Sequence, residues 1–235
     1  MSEQETNQQE NLMQKLGVSE EDMERYREMI AFVETCLDRP RVRQSHRPYK
    51  YDRFTHTKRV LSWTLRLYEA WENKARVNLD SLIVATIFHD SAYCVCEDLS
   101  EHAQVGAKLT GEYLYSIGYP QEQITEICDL VGNHSRKDLM HDGAISDSLV
   151  ILMEADYLDD MGAQGIVMDV WYEAMDNPDC SFESIRDHFI KYTLCQQHEN
   201  RAMLRSEAAL RFWDEKTALV EKFVAEYTRD LEWPM

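Results

Sequence analysis

The chain reads as all-α, and three observations predict it. Apolar residues recur three and four positions apart along most of its length, the spacing that gives a helix one apolar face. No stretch alternates apolar and polar residues over the length of a strand. Glycine and proline, which punctuate strand-and-turn folds, number only 8 and 5 in 235 residues. The architecture expected is a single helical bundle with additional N- and C-terminal helices.

The elements follow in order. Residues 1–11, polar and glutamine-rich, read as a disordered tail. Residues 12–48 read as an N-terminal helical segment and loop. Ser19 with Asp22 resembles a capping box in which Asp stands where Glu or Gln is usual, and the helix it opens runs to about Leu37. "RPRVRQSHRPYKYD", broken by Pro40 and Pro48, is a loop. Residues 49–235 read as the main domain, with helices near 52–74, 79–90, 101–117, 121–135, 145–160, 164–176, 181–194 and 197–231. Gly118 in "SIGYP" is placed to stop the helix before it. The last helix, long and charged, carries Leu204, Ala208, Phe212 and Leu219 among its apolar positions. Such a helix covers the bundle or pairs with a second copy, which leaves a homodimer open. No repeat and no composition shift divides the chain.

Charge removes some classes of function. The net charge of −18 argues against extended nucleic-acid binding and against a grip on an anionic membrane. The amino terminus has neither the basic start nor the apolar stretch of a signal peptide. No segment approaches the roughly 18 apolar residues of a membrane span. A cytoplasmic address is therefore expected. The six cysteines then read as free thiols. Cys94 and Cys96 form a C-x-C pair, a weak zinc signal by itself.

The informative residues are polar ones on apolar faces. His56 opens the row Val60, Trp63, Leu67, and Leu82 and Thr86 lead to His89. Ile83 and Ile87 lead to Asp90, while His102 begins Val105, Leu109, Tyr113. His134 closes Ile124, Ile127, Val131, and Asp156 extends Ile145, Leu149, Leu152. A buried carboxylate or imidazole costs several kcal/mol unless it is paired. Six private hydrogen bonds on converging faces are harder to arrange than one shared divalent cation. Imidazole nitrogen and carboxylate oxygen suit such a metal, and facing helices of a bundle are a recurrent place for it. Neighbours on a helix differ by about 100°, so His89 and Asp90 bracket one ion or reach two.

This order of residues resembles the HD-domain superfamily of metal-dependent phosphohydrolases. "HTKRVL" (His56–Leu61) looks like its first motif and "IFHD" (Ile87–Asp90) the second. "EADYLDDMGAQGI" is similar to the acidic motif of the small stand-alone bacterial HD hydrolases, with Tyr157 where an arginine is usual. The likeness covers about residues 50–170. It implies an HD-type helical domain and metal ligation by His56, His89, Asp90 and Asp156. His102 and His134 stand where a second ion or substrate phosphate would be held. One or two divalent ions are implied, with Mn, Fe, Mg, Zn, Co or Ni all compatible.

A metal-bound water would then attack a phosphate ester or nucleotide phosphoanhydride, with Asp90 as candidate proton acceptor. Arg59, Lys58, Lys108 and Arg136 are the candidate cations for a small phosphate or nucleotide substrate. Two other functions fit the same residues: an HD-type di-iron oxygenase, and a nucleotide-binding sensor without turnover. Glu101 reads as a favourable charge at a helix start, Asp159 as structural. His46, His141, His188 and His198 do not join the cluster by spacing.

Overall fold

The structure is a computed structural model and describes residues 3–38 and 49–232. Every regular element among them is helical, as the apolar spacing predicts. The chain divides into two compact units, residues 1–155 and 156–235. The division falls inside one continuous helix, Asp147–Asp159. A boundary inside a helix has no linker composition, which is why the sequence reads 49–235 as one domain.

The first unit opens with α1 (Glu3–Lys15), where the sequence suggests disorder to residue 11. Tertiary anchoring accounts for the difference: Met13 is buried, and the Gln9 side-chain amide donates to the Lys58 carbonyl at 2.8 Å. Helix α2 (Glu20–Leu37) begins at the expected cap. Ser19 Oγ accepts from the Asp22 backbone N–H at 3.1 Å and donates to the Asp22 carboxylate at 2.7 Å. Its buried residues Met23, Tyr26, Met29, Val33, Cys36 and Leu37 keep helical spacing. Pro40, His46 and most of the expected loop lie outside the described residues. Helix α3 (Tyr49–Ala70) starts directly after Pro48, a few residues earlier than its apolar spacing shows.

At the centre is α4 (Leu79–Phe88), capped by Asn78. Each residue from Ser81 to Phe88 is buried, because α4 is enclosed by α2, α3, α5 (His102–Ser116) and α6 (Gln121–Asn133). Each buried Leu or Ile there contributes about 1.5–3 kcal/mol. Its two polar threonine contacts are internal: Thr86 Oγ1 donates to the Leu82 carbonyl at 2.8 Å and lies 3.3 Å from Thr64 Oγ1. Gly118, at φ +78°, ends α5 as its sequence suggests. The Tyr119 N–H reaches the Leu114 carbonyl and the Gly118 N–H that of Tyr115, the paired bonds of a Schellman stop. At Gly106 of α5 a Cβ would sit 3.5 Å from Val131 and 3.6 Å from the His89 carbonyl, ordinary contact distances that place α5 against the turn bearing His89.

Helix α7 (Asp147–Asp159) starts in the first unit, where Trp71 Nε1 donates to Asp147 at 3.2 Å, and runs into the second. The second unit continues with α8 (Ala163–Asp176), α9 (Phe182–His188), a π turn (Phe189–Thr193), α10 (Leu194–Met203) and α11 (Glu207–Asp230). Ile185, Phe189, Val220 and Val224 form its core. The long terminal helix expected over 197–231 is broken at 204–206. Leu204 is extended there, at ψ 141°, and Ser206 caps α11 by accepting from the Ala209 N–H at 3.0 Å. The inward row of α11 is Ala208, Ala209, Trp213, Thr217, Val220 and Val224. Leu219, expected on the apolar face, is instead 47% exposed. The buried row faces α8, α9 and α10 of its own unit. Among the described residues, no helix is long and apolar enough to cross a membrane.

Candidate metal centre

Five of the expected ligands converge in the first unit. His56 comes from the first half of α3. His89 is the C-cap of α4 and Asp90 follows it. His102 begins α5, and His134 is the C-cap of α6. His56, His89, Asp90 and His134 are buried, and only His102 is partly open, at 15% of its side chain.

Local backbone chemistry aims the rings. The His89 Nδ1–H donates to the Thr86 carbonyl at 2.7 Å and the His134 Nδ1–H to the Val131 carbonyl at 2.7 Å. Each acceptor belongs to the last turn of its helix, where carbonyls lack intrahelical donors. The His102 Nδ1–H donates likewise to the Leu99 carbonyl at 2.6 Å. A carbonyl can only accept, so these three rings carry hydrogen on Nδ1 and, when neutral, a lone pair on Nε2. Metal-binding histidines are oriented in this way by carbonyl or carboxylate partners.

The Nε2 atoms meet in pairs around Asp90. His56 and His89 place theirs 3.3 Å apart, and so do His102 and His134. Oδ2 of Asp90 lies 3.7 Å from His56 Nε2 and 3.8 Å from His89 Nε2. Its Oδ1 lies 3.5 Å from Nε2 of both His102 and His134. One carboxylate thus divides its two oxygens between two imidazole pairs. Burial by itself would raise the Asp90 pKa. When these imidazoles are protonated, the His89 charge, the His134 hydrogen bond, Arg53 and His56 outweigh burial and hold the carboxyl well below its usual range.

Arg53 is the functional residue that sequence reasoning missed. Its Nη1 donates to Asp90 Oδ2 at 3.1 Å and its Nη2 to the Tyr93 hydroxyl at 3.2 Å. The guanidinium also lies over the Tyr93 ring, 4.0 Å from its centroid, and that ring stands against His102. The available signal was its position three residues before His56, on the same helical face.

The other candidates differ in burial and in partners. Arg59, three residues after His56 on α3, is half-buried. Lys58 is half-buried with Nζ over the Phe54 ring at 4.3 Å. Lys108 is exposed on α5, about 240° round the helix from His102. Arg136 is drawn away from the cluster into a fork on Asp138, at 2.9 and 2.7 Å. Asp156 is half-buried on α7, the first residue of the second unit. Cys94 and Cys96 are buried and outside any disulfide, and neither joins a His/Asp cluster among the described residues. His188 lies 3.4 Å from Glu173, while His141 and His198 are exposed.

The HD domain family model matches residues 53–161, a stretch that holds all six expected ligands, so the chain is similar to HD domains there. An HD-superfamily hydrolase from Bacillus thuringiensis is similar at TM-score 0.65 and 18% identity, over 89% of this chain and 97% of that one. YpgQ from Bacillus subtilis, solved in complex with ADP, is similar at TM-score 0.64 and 16% identity, over 89% of this chain and 96% of its own. The Lin1889 protein of Listeria innocua is similar at TM-score 0.59 and 19% identity, over 89% and 99%. At these identities the likeness is one of fold. No curated protein matches the sequence.

Proposed function

We propose that this protein is a metal-dependent phosphohydrolase acting on a nucleotide or another small phosphate ester, with two divalent ions shared across Asp90. The observation that carries this reading is the facing of His102 and His134. Both rings commit Nδ1–H to carbonyls, so two lone pairs confront each other at 3.3 Å beside a carboxylate oxygen. Two acceptors at that distance repel unless a cation lies between or beside them, and the donor set of imidazole and carboxylate suits a divalent metal. The pair His56 and His89 likewise sets its Nε2 atoms 3.3 Å apart beside the other oxygen of Asp90. The "EADYLD" motif makes Asp156 a further ligand, an assignment that rests on sequence.

When bound, the metal supplies a water acidified toward neutral pH and positive charge for developing phosphoryl oxygens. The chain's own groups do the rest. The carbonyls of Thr86, Leu99 and Val131 hold three imidazoles in the ligating tautomer. Asp90, ionised at neutral pH, is the form that ligation requires, and its low basicity makes it a ligand before it is a proton acceptor. Arg53 steadies Asp90 and keeps Tyr93 against His102. Arg59, on the His56 face of α3, is the cation assigned to substrate phosphate. That the similar YpgQ was solved with ADP supports a nucleotide as substrate.

The test is metal analysis of the purified protein, with phosphate release measured from nucleotides and simple phosphate esters in manganese, magnesium, cobalt, iron and zinc. Metal-dependent release supports the proposal. A metal-loaded protein that binds nucleotides without turnover would make it a sensor, and oxygen uptake by an iron-loaded form would make it an oxygenase.

A further inference from the structure

We infer that the outward face of α8, centred on Trp171, is the surface by which two copies of this chain associate, each α8 crossing the other antiparallel about a two-fold axis.

Single exposed apolar side chains are ordinary on a folded protein, and a contiguous row of them is not. Of the ten large apolar side chains exposed among the described residues, seven belong to the second unit, so apolar exposure is concentrated there. Three of the seven form a row on α8: Val167 is 59% exposed, Trp171 40% and Met175 37%. They stand four residues apart, which sets them one above another on a single face. The other side of α8 is engaged by its own unit. Ile166 and Val170 pack on the core. Asp169 accepts from Thr193 at 2.7 Å, while Glu173 lies 3.4 Å from His188 and accepts from Asn177 at 2.7 Å.

Charge and symmetry together select a second copy as the occupant. At about 100° per residue, the carboxylates of α8, Asp169, Glu173 and Asp176, gather on the side away from Trp171. The face around Trp171, formed by Gln164, Val167, Met168, Ala174 and Met175, carries no charge, in a chain whose residues are 29% charged. At a net charge of −18, two copies repel across most of their surfaces. On this face they meet without opposing like charges. A basic partner would be drawn to carboxylates, and the face offers none. Its pattern also reads the same in both directions, because Val167 and Met175 lie equally far from Trp171. A second α8 running antiparallel sets Val167 against Met175 of the second copy and Trp171 against its own counterpart, the self-matching contact of a two-fold dimer. Rows four residues apart are the ridges that interdigitate in the commonest helix packing, and tryptophan is among the residues that dominate interface energy. A helix of 14 residues supplies less than the roughly 800 Å² per partner of a standard interface, so the dimer belongs to the weak, transient class.

Sedimentation velocity on the full chain, from about 1 to about 200 μM, reads the association. Wild type is expected to pass from monomer toward dimer over that range. Trp171→Glu, with its fold verified by circular dichroism, should weaken association at least about tenfold. Leu219→Glu, which charges an exposed apolar position on α11 instead, should leave it within about twofold. A wild type that stays monomeric throughout leaves the face to another occupant and overturns the inference. So does a dimer that Trp171→Glu leaves intact, or one that Leu219→Glu weakens as much. A cross-link decides the matter if Trp171→Glu does not fold. Cys195→Ser removes the exposed native thiol. On that background Trp171→Cys should give a covalent dimer under mild oxidation, and Leu219→Cys should not. No dimer through position 171, or as much through position 219, overturns the inference.

Discussion

His102 and His134 turn their Nε2 atoms toward each other at 3.3 Å while their Nδ1–H groups are held by Leu99 and Val131. Thirty-two residues separate them in the chain, and only the packing of α5 on α6 brings them together. Ligand counting follows from that relationship. Manganese-loaded, desalted protein is expected to hold two ions per chain by elemental analysis. His102→Ala and His134→Ala should each reduce this to one, while His89→Ala and Asp90→Ala should abolish both metal retention and hydrolysis. Full metal content in the Asp90 variant would remove Asp90 as the shared ligand.

Metal should also stabilise the fold. Free metal at a hundred times its dissociation constant adds about 2.7 kcal/mol when only the native state binds it. The measurement is a urea titration with and without manganese. The His102→Ala, His134→Ala double variant should show a smaller gain than wild type.

Arg53 holds Asp90, the proposed shared ligand, by a direct hydrogen bond, and losing such a partner of a metal ligand costs roughly 10–100-fold in affinity or activity. Arg53→Met should lower kcat/KM within that range with the fold intact by circular dichroism. Arg53→Lys should recover part of the loss, because an ammonium keeps the charge beside Asp90 but not the paired contacts to Asp90 and Tyr93. Wild-type activity in Arg53→Met would assign the residue to structure alone.

At the far end of α4, Asp80 accepts from the Tyr26 hydroxyl at 2.6 Å and from the Tyr119 hydroxyl at 2.9 Å. Burial first, then the Asp80 contact, raises both phenol pKa values above their usual value near 10. A raised folded-state pKa means that the native protein keeps protons the unfolded chain releases. The contribution is thus fully present below about pH 10 and is lost as pH rises beyond it. Stability measured in urea should fall between pH 10 and 11.5. Tyr26→Phe with Tyr119→Phe should flatten that fall, and an unchanged slope would refute the assignment.

Gly165 gives a prediction of opposite sign to helix propensity. Alanine in a helix is ordinarily favoured over glycine by about 1 kcal/mol. Here its Cβ would meet the Asp160 carbonyl at 2.5 Å, and backbone cannot yield as a side chain would. Gly165→Ala should therefore destabilise by about 1–3 kcal/mol, read as a lower urea midpoint.

Periodicity made most helices legible, because a face buried along its whole length leaves a regular mark. The rows ending in His89, Asp90 and His134 are buried as their spacing implies. The cap at Ser19 and the stop at Gly118 were readable because each is satisfied within a few residues. The order around α10 and α11 was harder. A π turn and a break at Leu204–Ser206 preserve the apolar pattern while shifting its phase.

By itself, the sequence determined that the chain is helical, that polar residues continue its apolar faces, and that their order resembles that of an HD domain. These are properties of neighbours along one helix. Only the tertiary structure decided that the imidazoles gather in two pairs on the two oxygens of Asp90, and that Arg53 braces that carboxylate while Arg136 turns to Asp138. Angles between helices set such meetings, and no spacing within a single helix encodes them.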